Sequence, residues 1–65
     1  MLAALPELAA QIIDEARQRG RITIGEMTRL TGASRNTLKE HFKRLLEQGR
    51  LVRHGTGKAT WYTLP

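Results

Sequence analysis

Residues 23–49 read TIGEMTRLTGASRNTLKEHFKRLLEQG, and this stretch decides the fold. Thr23 and Glu26 stand in the T-x-x-E spacing of a capping box, in which each side chain satisfies a free backbone N–H at the start of a helix. The spacing predicts a short helix over about 24–31, with Ile24, Met27 and Leu30 pointing inward and Gly32 ending it. Only Ala33 then precedes Ser34, a favoured N-cap. A further helix is expected over about 35–48, with Leu38, Phe42, Leu45 and Leu46 on one face. Two helices joined by so short a glycine-containing turn form a helix-turn-helix pattern.

Upstream, Leu8, Ala9, Ile12, Ile13 and Ala16 make the apolar stripe of an amphipathic helix. Pro6 suits its first turn, where a missing N–H leaves no bond unmade, so this helix is expected over about 6–19, with an earlier start at Leu2 also open. Arg17 and Arg19 fill the last turn and Gly20 follows as a left-handed cap. Ile22 reads as a short extended step. Downstream of Gly49 the periodicity changes. Leu51-Val52-Arg53 and Thr60-Trp61-Tyr62-Thr63-Leu64 are rich in β-branched and aromatic residues, and predict a hairpin over about 51–64 with Gly55-Thr56-Gly57 at its tip. Tyr62 and Leu64 are expected to face inward and Trp61 outward. The whole, residues 1–65, is one domain, mainly α with a small β-hairpin, in the order α, short extended step, α, α, β, β.

Charge supplies the first functional lead. Eleven Lys and Arg against six Asp and Glu leave a net +5. The excess is confined to one part of the chain: residues 1–20 hold three acids and two bases, whereas residues 21–65 hold nine bases and three acids. A positive field so concentrated favours a polyanionic partner. With no cysteine, a disulfide framework, a thiolate metal site and a cysteine nucleophile are all excluded. Apolar stretches are too short to cross a bilayer, and Met1 to Leu5 lacks the basic start of a secretory signal. A cytoplasmic, nucleoid-associated location is therefore expected, with no membrane partner.

On the third helix each residue advances about 100°. With Leu38 at 0°, the core face centres near 25°, while Lys43, Asn36, Glu47, Glu40 and Arg44 fall at about 140°, 160°, 180°, 200° and 240°, and Lys39 flanks them at about 100°. The first turn is Ser34-Arg35-Asn36-Thr37. Arg and Lys match guanine O6 and N7, Asn matches adenine N6 and N7, and hydroxyls serve bases or phosphates. Glu40 is suited to accept from cytosine N4 or to orient Arg44 by an i, i+4 pair. Any surface helix displays charge opposite its core stripe; the position as second helix of a helix-turn-helix is what favours a major groove. Arg53, His54 and Lys58 around the hairpin tip add cations where small residues let the backbone approach a phosphate chain.

The run ITIGEMTRLTGASRNTLKEHFKRLLEQGRLVRHGTGKATWYTL, residues 22–64, resembles a bacterial winged helix-turn-helix domain. The resemblance rests on Gly32-Ala33-Ser34 before the third helix, on Leu45 to Leu51 leading out of it, and on HGTGKATWYTL as the wing. That last run is similar to small winged modules at the C-termini of Fic-type proteins and of some ATP-binding transcriptional regulators. The resemblance implies sequence-specific binding of double-stranded DNA in transcriptional regulation, with the third helix in the major groove and the wing on the adjacent backbone or minor groove. It places DNA contacts at Ser34, Arg35, Asn36, Thr37, Lys39, Glu40, Lys43 and Arg44, and at Arg53, His54, Thr56 and Lys58 in the wing.

Other chemistries have less support. His41 lies at the edge of the core face and His54 beside the hairpin tip, and no carboxylates are spaced to share a metal with either. Gly55-Thr56-Gly57-Lys58 lacks the spacing and the following helix of a phosphate loop. No catalytic residue, metal, cofactor or small-molecule substrate is expected. The alternative is a winged docking or dimerisation module of a larger regulatory protein, with Leu2, Leu5 and Leu8 of the first helix supporting at most a weak homodimer.

Overall fold

The three-residue link Gly32-Ala33-Ser34 sets the architecture, because each of its residues has a separate task. The computed structural model describes residues 7–57 and 59–65. Helices α1 (Glu7–Arg19), α2 (Ile24–Thr31) and α3 (Arg35–Glu47) are followed by strands β1 (Val52–Thr56) and β2 (Ala59–Thr63). At Gly32 the chain turns left-handed, φ 75°, and its N–H donates to Thr28 O. A β-branched residue resists that φ, whereas glycine adopts it freely. The Ala33 N–H donates to the Thr31 hydroxyl, and Ser34 Oγ accepts from the Thr37 N–H, capping α3. This is the winged-helix-like arrangement that the residues led us to expect. The expected starts at Pro6 and Leu2, together with Leu5, lie outside the described residues, and α3 ends at Glu47 with Gln48 as its cap.

The core is built from the three helices and β2, together with Ile22 and Leu51 outside the named elements. Ala9, Ile12 and Ala16 of α1, Met27 of α2, and Leu38, Phe42 and Leu45 of α3 are buried, joined by Ile22, Leu51 and Tyr62. Fully burying one large apolar side chain contributes about 1.5–3 kcal/mol, so a chain this short depends on every one of them. Tyr62 connects the hairpin to the helices: its ring meets Phe42 edge-on at 4.7 Å and 72°. Its backbone exchanges hydrogen bonds of 2.8 and 2.9 Å with Ile22. The extended step at Ile22 thus becomes a third, one-residue rung beside β2. As expected, Tyr62 is buried and Leu64 packs against the core.

Three expectations need correction. Leu30 is 49% exposed. The inner face of α2 runs instead through Ile24, Met27, Thr28 and Thr31. Both threonines turn their hydroxyls back, Thr28 to Ile24 O and Thr31 to Met27 O, so neither leaves an unpaired polar group there. The capping box is half formed: Glu26 N–H donates to Thr23 Oγ1 at 3.1 Å, but the Glu26 carboxylate accepts from the Thr23 hydroxyl rather than from its N–H, and also faces Arg19 at 3.7 Å. That second attraction draws the carboxylate toward the end of α1. Finally, Gly55 and Thr56 belong to β1. The register pairs Gly55 with Thr60 and Thr56 with Ala59, which leaves a two-residue connection at Gly57-Lys58, and Lys58 lies outside the described residues. Gly55 accommodates this longer ladder only because it adopts φ 83°; a Cβ there would overlap the carbonyl of Ala59 and the ring of Trp61.

Ser34→Ala is expected to destabilise the domain by about 1 kcal/mol, or roughly 4–8 °C in Tm for a domain of this size. Gly32→Val is expected to cost roughly 2 kcal/mol, all of it backbone strain, because no atom lies within contact of its Cβ position. Equal melting curves for wild type and Gly32→Val would contradict the turn. Gly55→Ala adds a backbone collision to the strain and should exceed a cap loss, with Trp61 fluorescence reporting the broken hairpin before the helices melt. A Gly55→Ala variant with native Trp61 emission would exclude the ladder described here.

Candidate nucleic-acid interface

Successive turns of α3 carry Arg35, Lys39 and Lys43, spaced four apart and all exposed. They follow the edge of the core face that carries Phe42 and Leu46, and so look toward the hairpin. Arg53 meets them from β1. Because Arg53 pairs directly with Tyr62, its side chain leaves the sheet on the face that packs on α3. Arg35, Lys39 and Arg53 line one open hollow with Thr23, Gly25 and Gly57. Lys39, Lys43 and Arg53 line a second with Ile24 and Leu46. Among the described residues no acid lines either hollow. Like charges at i, i+4 on a helix destabilise it by roughly 0.2–0.5 kcal/mol per pair. Two such pairs stand here, and among the described residues none of the three cations forms an ion pair, an arrangement that a polyanion would relieve.

The N-terminus of α3 adds a second attraction. Its first turn carries no acid, so the partial positive charge of the helix end is uncompensated. The N–H groups of Arg35 and Asn36 have no carbonyl partner within the helix, as at any helix start. Ser34 and Thr37 hold one another, Ser34 Oγ donating to Thr37 Oγ1 at 2.9 Å while accepting from the Thr37 N–H. The Ser34 hydroxyl therefore spends its hydrogen in the cap, while the Thr37 hydroxyl keeps its own to donate to a ligand.

The remaining expected residues fall into two groups. Asn36, Glu40 and Arg44 are exposed on α3 and line neither hairpin hollow. Glu40 makes no ion pair with Arg44, so the orienting role does not apply; the ion pairs among the described residues lie around α1. Thr56 is exposed beside the turn. His54 is half-buried on the outer face of the hairpin, stacked on Trp61 with centroids 5.7 Å apart and planes 14° apart. Its Nε2 lies 2.8 Å from Thr63 Oγ1, and that hydroxyl already donates to Leu64 O. That contact ties His54 to β2 whichever imidazole tautomer is present. His54 thus braces the hairpin on the side away from Arg53. Thr23, which the sequence marks only as a cap, and Gly25 carry no charge that would assign them to the site; the packing of α2 brings its first turn to the hollow.

Among the described residues no three His, Asp or Glu side chains group as metal ligands, and no helix is long and apolar enough to cross a membrane. No curated protein matches the chain. A family model described as bacterial protein of unknown function (DUF977) matches residues 4–60. That span includes all three helices, β1 and the start of β2, and with them the basic stripe and Arg53. The chain belongs to this bacterial family, DUF977.

Proposed function

We propose that the domain binds double-stranded DNA, in transcriptional regulation, with α3 in the major groove and the hairpin on the adjacent backbone or minor groove. The observation that carries this reading is the acid-free cluster of Arg35, Lys39, Lys43 and Arg53, contributed by two elements to one surface. A helix stripe alone is what any solvated helix displays. Cations from a helix and a separate hairpin, brought together without ion pairs among the described residues, suit a phosphate chain.

The reading divides attraction from selection. Arg53 and Lys58 are assigned to phosphates, as are Arg35 and Lys43 at the groove edge. Asn36, with Glu40 beside it, projects straight outward from the first half of α3 and is assigned to base edges. The resemblance to winged helix-turn-helix domains supports this division.

Titration of a fluorescently labelled duplex by anisotropy, at several salt concentrations, tests both parts. Arg53→Ala and Lys58→Ala are each expected to weaken binding to every duplex alike and to reduce the log–log salt slope by about 1. Asn36→Ala should cost about 1–3 kcal/mol on a selected site and little on a scrambled one. If all three variants bind like the wild type at low salt, the surface is not a DNA surface and a protein-docking role takes its place. Lys39→Gln offers a second check, because a functional cation in a repulsive row should act oppositely on binding and on stability. It is expected to weaken duplex binding while raising stability by about 0.5 kcal/mol in low salt. A loss of stability would mean that Lys39 serves the fold.

A further inference from the structure

The hairpin has a second face, turned away from α3, and its chemistry is unlike the first. Trp61, the only tryptophan of the chain, stands in the central strand of the three-strand arrangement made by β1, β2 and the Ile22 rung. His54 stacks on it from β1. From the rung side the guanidinium of Arg21 sits 5.6 Å from the ring centroid, within the range of a cation–π contact. Ile22 is buried and paired with Tyr62, so strand alternation sends Arg21 to the opposite face, beside Trp61.

Arg21 is exposed and free of ion pairs among the described residues. The neighbouring acids are already engaged: Glu15 with Arg19 at 2.6 Å, and Glu26 with Arg19 at 3.7 Å and with the Thr23 hydroxyl. Arg21 and Trp61 line an open hollow whose inner end holds Arg19, Thr23 and the engaged Glu26 and whose other end runs along Thr60 and Ala59. A guanidinium laid on an indole loses little further freedom when it meets an anion, because the ring already orients it.

We infer that Arg21, held on Trp61, is a second phosphate contact on the outer face of the hairpin, so that the hairpin meets the DNA backbone from both faces, Arg53 on one and Arg21 on the other. The inference rests on the DNA-binding reading above. A phosphate contact needs the charge of Arg21, whereas a purely packing role needs its planar group, and this separates the two.

The test uses the full chain and a random-sequence duplex, comparing wild type, Arg21→Gln, Arg21→Lys and Arg53→Gln by anisotropy over a salt series. Far-UV circular dichroism confirms that each is folded, and Trp61 emission is followed in the same titrations. Arg21→Gln is expected to lower the log–log salt slope by about 1 and Arg21→Lys to restore it. Trp61 emission should change on wild-type binding and change less in Arg21→Gln. An unaltered slope in Arg21→Gln, with Arg53→Gln reduced, would overturn the outer-face contact and leave the DNA reading intact. Equal losses in the Gln and Lys variants would assign Arg21 to packing and overturn it as well. Failure of the wild type to bind duplex at low salt would remove both readings together.

Discussion

The edge-to-face contact between Tyr62 and Phe42 holds the two halves of the candidate surface in one frame. Phe42 belongs to the helix that carries Arg35, Lys39 and Lys43, and Tyr62 to the strand beside Arg53. An aromatic pair of this geometry contributes about 0.5–1.5 kcal/mol beyond the area it buries. The two backbone hydrogen bonds between Tyr62 and Ile22 then fasten the hairpin to the segment between α1 and α2. An isolated two-stranded hairpin is marginal in water. Here the ladder is stable because one of its residues is also a member of the helical core.

Much of this was legible from residue types alone. The helix boundaries follow from Gly20, Gly32 and Gly49 and from the cap at Ser34, since these residues act locally and leave a local sign. Alternation along β2 was enough to turn Tyr62 inward. What escaped depends on partners distant in the chain. Leu30 looks like a core residue until the hydroxyls of Thr28 and Thr31 are known to bond backward and make threonine acceptable inside. The length of β1 was hidden because Gly55-Thr56-Gly57 has the composition of a turn, and only the ladder register shows that Gly55 is a strand residue with a left-handed backbone.

The candidate site was legible as a composition and less so as a surface. A helical projection identifies the exposed residues of α3 but is blind to where the hairpin lies. That position singles out Arg35, Lys39 and Lys43 as the residues that meet Arg53, whereas Asn36, Glu40 and Arg44 line neither hollow. Arg21 stood outside the expected surface because its role follows from the pairing of its neighbour Ile22. The wing emerges as a braced element: His54 and Arg21 flank Trp61 on the outer face, while Arg53 and Tyr62 face α3 on the inner one. Such bracing limits the freedom lost on binding, which favours a rigid hairpin as a backbone contact.

The most direct test of a single surface shared by α3 and the hairpin is a map of backbone amide chemical shifts, recorded by NMR on the labelled 65-residue chain while duplex DNA is added. The account predicts that the shifts gather on Arg35 to Lys43, on the first turn of α2 and on the hairpin from Arg53 to Trp61, with the exposed residues of α1 unmoved. Shifts confined to α1 or to the surroundings of Leu30, or none at all at low salt, would contradict it.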